Sequence, residues 1–199
     1  MAQRNIVFLP GKYYHVYNRG VNREIIFRSK QNYNFLLRRI REYAPTHQVA
    51  IIVYCLMPNH YHFILRQESE KSISEFIQAV FNSYSKAYNK MYNRTGTLFE
   101  GLFKATAIDK YEYLLHLCRH IHRNPLDAGM VTHPAEWEFS NYLEWVGRRH
   151  GVETKMEFVH ENYPDPMEYE GFVLDYFPPK KTVEAVERMS FEQVVESKI

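Results

Sequence analysis

Residues 49–66 read VAIIVYCLMPNHYHFILR. Two runs rich in β-branched and aromatic side chains flank Pro58-Asn59. Proline fixes φ and asparagine tolerates turn conformations, so the dipeptide is a tight turn. Runs of this kind pair antiparallel across such a turn. Any fold this chain adopts must therefore contain the hairpin of 49–57 and 60–66.

The flanking segments fit around that hairpin. YYHVYNRG (13–20) alternates its side chains and ends on glycine, which predicts a strand. Residues 29–44 place Phe35, Leu36, Ile40 and Tyr43 at helical spacing, with Ser29 as N-cap and Pro45 as stop. Residues 72–94 predict a long helix with a capping box at Ser72 and Glu75 and an inner stripe of Ile77, Val80, Phe81, Tyr84, Tyr88 and Met91. Residues 95–109 read as a fourth strand after a glycine-containing turn. Residues 110–124 form a second amphipathic helix stopped by Pro125. The order β-α-β-β-α-β-α begins with a ferredoxin-like α+β arrangement, an antiparallel sheet with helices on one face.

Composition bounds the rest. The chain has 199 residues, enough for one domain with a core and a tail. No apolar run suggests a signal peptide or a membrane span. Cys55 and Cys118 lack metal-finger spacing and suggest a reduced, cytoplasmic protein. Residues 1–150 carry 20 Lys+Arg and 12 Asp+Glu, a balance of +8; residues 151–199 carry 5 and 11, a balance of −6. A body at 1–150 and an acidic extension at 151–199 follow. The basic body hints at a polyanion partner, although uneven surface charge alone would give the same balance. Residues 137–147 suggest a short helix. Four prolines mark 161–181 as a wrapping extension, and 182–198 suggest a small terminal helix.

His60 and His62 stand at i and i+2 on a strand, so they share a face, with Tyr61 and Phe63 on the other. Two imidazoles make two legs of a divalent-metal site, or two sheet histidines satisfied by hydrogen bonds. On the 110–124 helix, His116, His120 and Asn124 follow at intervals of four and share a side. That stripe is either a partner for the histidine pair or a solvated face.

YCLMPNHYHFIL, TGTLFEGLFKA and YLLHLCRHIHRNPLDAGMV, in this order, resemble the HUH transposases of the single-tyrosine type, in particular the REP-associated tyrosine transposases. The resemblance covers roughly residues 10 to 147. It implies a ferredoxin-like fold and a Mg or Mn ion. It also implies an endonuclease and strand transferase acting on single-stranded hairpin DNA, in DNA transposition and recombination. It puts His60 and His62 in the role of metal ligands and Asn124 in that of the third ligand, an amide oxygen suited to hard cations. The family's nucleophilic tyrosine falls on His120 here. Histidine at that place leaves three outcomes open. It attacks in tyrosine's stead, it joins the ion and shifts preference toward Zn or Ni, or strand transfer is lost. Tyr113 lies two turns back, about 10 Å away, too far to substitute without rearrangement.

Arg19, Arg23 and Arg28 follow the first strand, Lys104 lies on the fourth, and Arg119 and Arg123 flank His120. Interleaved with Tyr and Phe, they suit a single-stranded path, although each alone is an ordinary surface charge. The rivals are a non-catalytic domesticated DNA-binding protein and an unrelated small phosphoesterase. Monomer and homodimer are both compatible with the sequence.

Overall fold

A computed structural model describes residues 6–151 and 154–176. Strands β1 (Tyr13–Arg19), β2 (Val49–Met57), β3 (His60–Gln67) and β4 (Lys104–Ile108) form one sheet in the order β2-β3-β1-β4. Every neighbouring pair is antiparallel. Helices α1 (Lys30–His47) and α2 (Ile73–Met91) complete the βαββαβ unit, and α3 (Tyr111–Asp127) follows. The ferredoxin-like arrangement is the one expected from the order of elements.

The pleat of β1 sorts its side chains. Tyr14 and Val16 enter the core beneath α1 and α2, with Leu36, Ile40, Phe76, Ile77, Val80 and Tyr84. Tyr61 and Phe63 of β3 join them there. The opposite face carries Val53, Cys55 and Ile64, covered by Leu117, Cys118 and Ile121 of α3. Burying a leucine or isoleucine of this kind contributes about 2 kcal/mol, so α3 is fastened to the sheet by its apolar stripe. α1 and α2 thus share one face, and α3 closes the other.

Three helices complete the described chain: α4 (Tyr142–Trp145), α5 (Met156–Asn162) and α6 (Pro166–Leu174). Phe158, Val159, Tyr169 and Val173 pack with Trp145 and α3 in one cluster. The change of charge near residue 150 is therefore not a break in packing. Of the segment at 161–181, the described part carries the end of α5 and all of α6, packed on that cluster, and residues 177–181 lie outside the described residues. The terminal helix expected at 182–198 lies outside the described residues.

Two helix ends differ from expectation. α1 runs past Pro45 to His47, and α3 past Pro125 to Asp127. Each proline sits in a last turn, where losing one N–H bond costs less than in a helix interior. The fourth strand is shorter than 95–109, because Gly96 and Gly101 adopt positive φ and break the run into turns. Both cysteines are free and buried. Among the described residues, no helix is long and apolar enough to cross a membrane.

Candidate metal centre

Rows of side chains cross the sheet on the face toward α3. His60 opposes Arg19 of β1 and Met57 of β2; His62 opposes Tyr17 and Cys55. One step further, Ile64 opposes His15 and Val53.

The loop after β1 fixes the turn that carries His60. The Gly20 amide donates to the Asn59 carbonyl at 2.8 Å, and the Ile26 and Phe27 amides donate to Pro58 at 2.8 and 2.9 Å. A Cβ at Gly20 would come within 2.1 Å of the Glu24 carbonyl oxygen, so only glycine fits. Asn22 and Arg23 take positive φ, 52° and 59°, to bring the chain round. The Asn59 side-chain amide donates to the Arg23 carbonyl at 3.5 Å, which turns its Oδ1 the other way, to 2.7 Å from His60 Nδ1.

Both facing oxygens, Asn59 Oδ1 at 2.7 Å from Nδ1 and Asn124 Oδ1 at 3.2 Å from Nε2, can only accept, and the shorter contact places the ring proton on His60 Nδ1. Burial holds the His60 pKa down at about 4, against an opposing pull from Asn124 that outweighs the added push of Arg19, so the ring is neutral at pH 7. A neutral ring has one N–H, and Nε2 is therefore bare. It stands 3.2 Å from Asn124 Oδ1, an acceptor on α3 that is 1% exposed. Two lone pairs facing each other at this distance repel, and either a cation between them or a turn of the Asn124 amide relieves the repulsion.

The distance suits that cation. Two donors about 2.1–2.2 Å from one ion, at roughly a right angle, stand about 3.0–3.2 Å apart. The perpendicular ring of His62, with its centroid 5.1 Å from that of His60, supplies a further nitrogen on the same face. Burial first, then the neighbouring His60, His15 and His120, hold His62 neutral as well. The residues present fit a divalent ion bound by two imidazoles and an amide oxygen.

His120 is half-buried, but its Nε2 is enclosed and has no hydrogen-bond partner. Burial, then Arg123 and Arg119, lower its pKa to about 4. Among the described residues, no three of the His, Cys, Asp and Glu side chains are arranged to hold an ion. His120 nonetheless lies close enough to His62 and His15 to push their pKa values down. His116 leaves the stripe altogether: it meets Arg119 at 2.8 Å and Phe172 at 5.7 Å between ring centroids. Four helical residues advance 400°, so each step along the stripe rotates about 40°. Tyr113 is half-buried near Tyr17.

The basic residues divide into two groups. Arg19 opposes His60 and pairs with Glu100, with one N–H···O contact at 3.0 Å. Arg23 and Arg28 are exposed on the following loop, where Arg28 lies over the Tyr92 ring at 4.9 Å. Lys104 is exposed on β4, opposite Tyr17. Arg119 and Arg123 instead serve the C-terminal segment. Arg119 donates to the Phe172 carbonyl at 3.3 Å and lies over the Phe172 and Tyr176 rings, and Arg123 donates to the Val173 carbonyl at 2.8 Å. The end of α6 thus takes up part of the hydrogen-bonding capacity of both guanidinium groups.

Three further residues matter here that no motif in the sequence singles out. His15, buried on β1, has Nε2 at 3.0 Å from His62 Nδ1. Tyr17 stacks on His15 with centroids 4.7 Å apart. The alternation of YYHVYNR could have found both, because it puts them on one face. His122 bridges Tyr169 Oη at 2.6 Å and Asn141 Oδ1 at 2.9 Å, tying α3 to the C-terminal segment.

The sequence model of the family described as "Transposase IS200 like" matches residues 10–124. Among solved structures, the chain is similar to a REP-associated tyrosine transposase bound to a REP hairpin. The identity is 19%, over 74% of this chain and 87% of the other, with a TM-score of 0.63, a likeness of fold. A tRNA(His) guanylyltransferase from Saccharomyces cerevisiae matches at 14% identity over 93% of this chain and 80% of its own, with a TM-score of 0.42, too low to carry weight. No curated protein matches the chain.

Proposed function

The chain belongs to the IS200-like transposase family, and from that premise we propose that it binds hairpin-forming single-stranded DNA and cleaves it with the help of a divalent ion. His60, His62 and Asn124 hold the ion. The observation that carries this reading is the bare Nε2 of His60 facing Asn124 Oδ1 at 3.2 Å, with the other ring nitrogen engaged by Asn59. The Asn124 oxygen suits Mg or Mn, the ions that the family resemblance implies, while the two imidazoles also suit Zn or Ni. When bound, the ion withdraws charge from the scissile phosphate.

The chain's own residues do the rest. Arg19, beside His60, and the exposed Arg23 and Lys104 offer charge to the phosphates of a single strand. A hairpin is the expected partner, since the similar fold was solved with one. His120 is neutral and holds the place of the family's nucleophile. Its imidazole nitrogen attacks phosphorus, a P–N bond forms and the P–O3′ bond breaks. The ring gives up its N–H proton and the leaving 3′ oxygen takes one. The strand is left as a 5′-phosphoramidate on His120, and attack by another 3′-hydroxyl reverses the step and rejoins DNA.

Incubation of the full chain with end-labelled hairpins and Mn2+ tests this. A denaturant-resistant adduct that is lost in acid and is absent with chelator or in His120→Ala is the expected result. The enclosure of His120 Nε2 favours a second reading, binding without cleavage. Salt-sensitive hairpin binding that ignores chelator, with no product on any hairpin, would establish that reading instead.

A further inference from the structure

A neutral imidazole carries one proton, so a ligand histidine must keep it on the nitrogen that does not face the ion. For His60 the carbonyl oxygen of Asn59 meets that need. For His62 the facing group is another histidine. His62 Nδ1 is 3.0 Å from His15 Nε2, and both rings are buried. The rings lie nearly parallel, with centroids 5.2 Å apart and 15° between planes, and Tyr17 packs on the pair at 24° to His15.

We infer that His15 is a positioning residue for the metal centre: its Nε2 accepts the Nδ1 proton of His62 and so holds that ligand in the tautomer and ring orientation that presents Nε2 to the ion. The inference rests on the metal reading above and adds a residue that binds no metal itself.

A second observation fits this role. His15 Nδ1 is enclosed and has no hydrogen-bond partner. If Nε2 accepts from His62, the proton of His15 sits on that solitary nitrogen. In either tautomer one buried ring nitrogen of His15 stays unmet, a cost that packing alone gives no reason to keep. A phenylalanine would fill the same space against Tyr17 without it. What a phenylalanine lacks is the acceptor for His62.

The test uses the full chain and Mn2+ alone as probe. Isothermal titration compares wild type with His15→Phe, His15→Gln and His60→Ala. His15→Phe is expected to weaken Mn2+ binding about 10- to 100-fold. His15→Gln, whose carbonyl oxygen can still accept, is expected to recover most of that loss, which a merely space-filling role would not produce. Near-ultraviolet circular dichroism confirms that each variant is folded. Long-range 1H–15N spectra of the Mg2+-saturated wild type need no variant, and there His62 is expected to carry its proton on Nδ1.

A folded His15→Phe that takes up Mn2+ as the wild type does would overturn the inference. So would a His62 protonated on Nε2 in the Mg2+ form. If His60→Ala abolishes binding while His15→Phe leaves it intact, the role of His15 alone is wrong. If the wild type binds no Mn2+, the metal reading is wrong and the inference goes with it.

Discussion

Acid should unfold this protein in a window set by its buried histidines. His15, His60, His62, His120 and His122 are all held neutral by burial, with His15 and His122 at about 3, His60 and His120 at about 4, and His62 well below its ordinary value. In the unfolded chain each titrates near 6.5. Below that pH the unfolded state binds protons that the folded state refuses, so stability falls as pH drops through 6.5, and keeps falling until the folded values near 3 to 4 are reached. Between pH 7 and pH 5 each such group costs about 2 kcal/mol, and five of them sum to roughly 9 kcal/mol. Domains of this kind are stable by about 5–15 kcal/mol, so most of the margin is gone by pH 5. Urea unfolding in chelator-containing buffer at pH 7.5, 6.5, 5.5 and 5.0 measures it. The slope near pH 5.5 should correspond to an uptake of about four protons on unfolding, some 6 kcal/mol per pH unit. An uptake of one proton or fewer would refute the claim that these rings are buried together and neutral.

Other outcomes can be checked with single substitutions. His120→Tyr should give hairpin adducts that survive acid, where those of the wild type do not, read on denaturing gels after acid treatment. Asn124→Asp places a carboxylate at a position 1% exposed. Without metal it should lower the melting temperature, and Mn2+ should raise it by more than in the wild type, because a buried charge needs its counter-ion. Tyr169→Phe removes the hydroxyl that His122 Nδ1 meets at 2.6 Å. It should cost about 1–3 kcal/mol in urea unfolding, with hairpin cleavage unchanged.

The fold was largely legible because its cues are local. Pro58-Asn59 sets the hairpin, alternation marks β1, and the apolar stripes of α1, α2 and α3 have helical period. The pair His60 and His62 was legible for the same reason, since strand residues two apart share a face. What stayed hidden depends on elements distant in sequence. His15 meets His62 only through the register of β1 on β3, which no local pattern states. Arg119 and Arg123 look like free charges until α6 returns over α3 and caps them with the carbonyls of Phe172 and Val173. His116 and His120 share a spacing but part company, because the helix turns 40° between them and packing decides which faces the sheet.

A crystal of the full chain soaked in Mn2+, with anomalous scattering recorded, would locate the ion directly. The expected result is one strong peak bonded to the ring nitrogens of His60 and His62 and to Asn124 Oδ1, with Asn59 still accepting from His60 Nδ1. A peak elsewhere, or an Asn124 whose amide nitrogen turns to donate to His60 Nε2 with no ion between them, would contradict the proposed centre and the cleavage chemistry built on it.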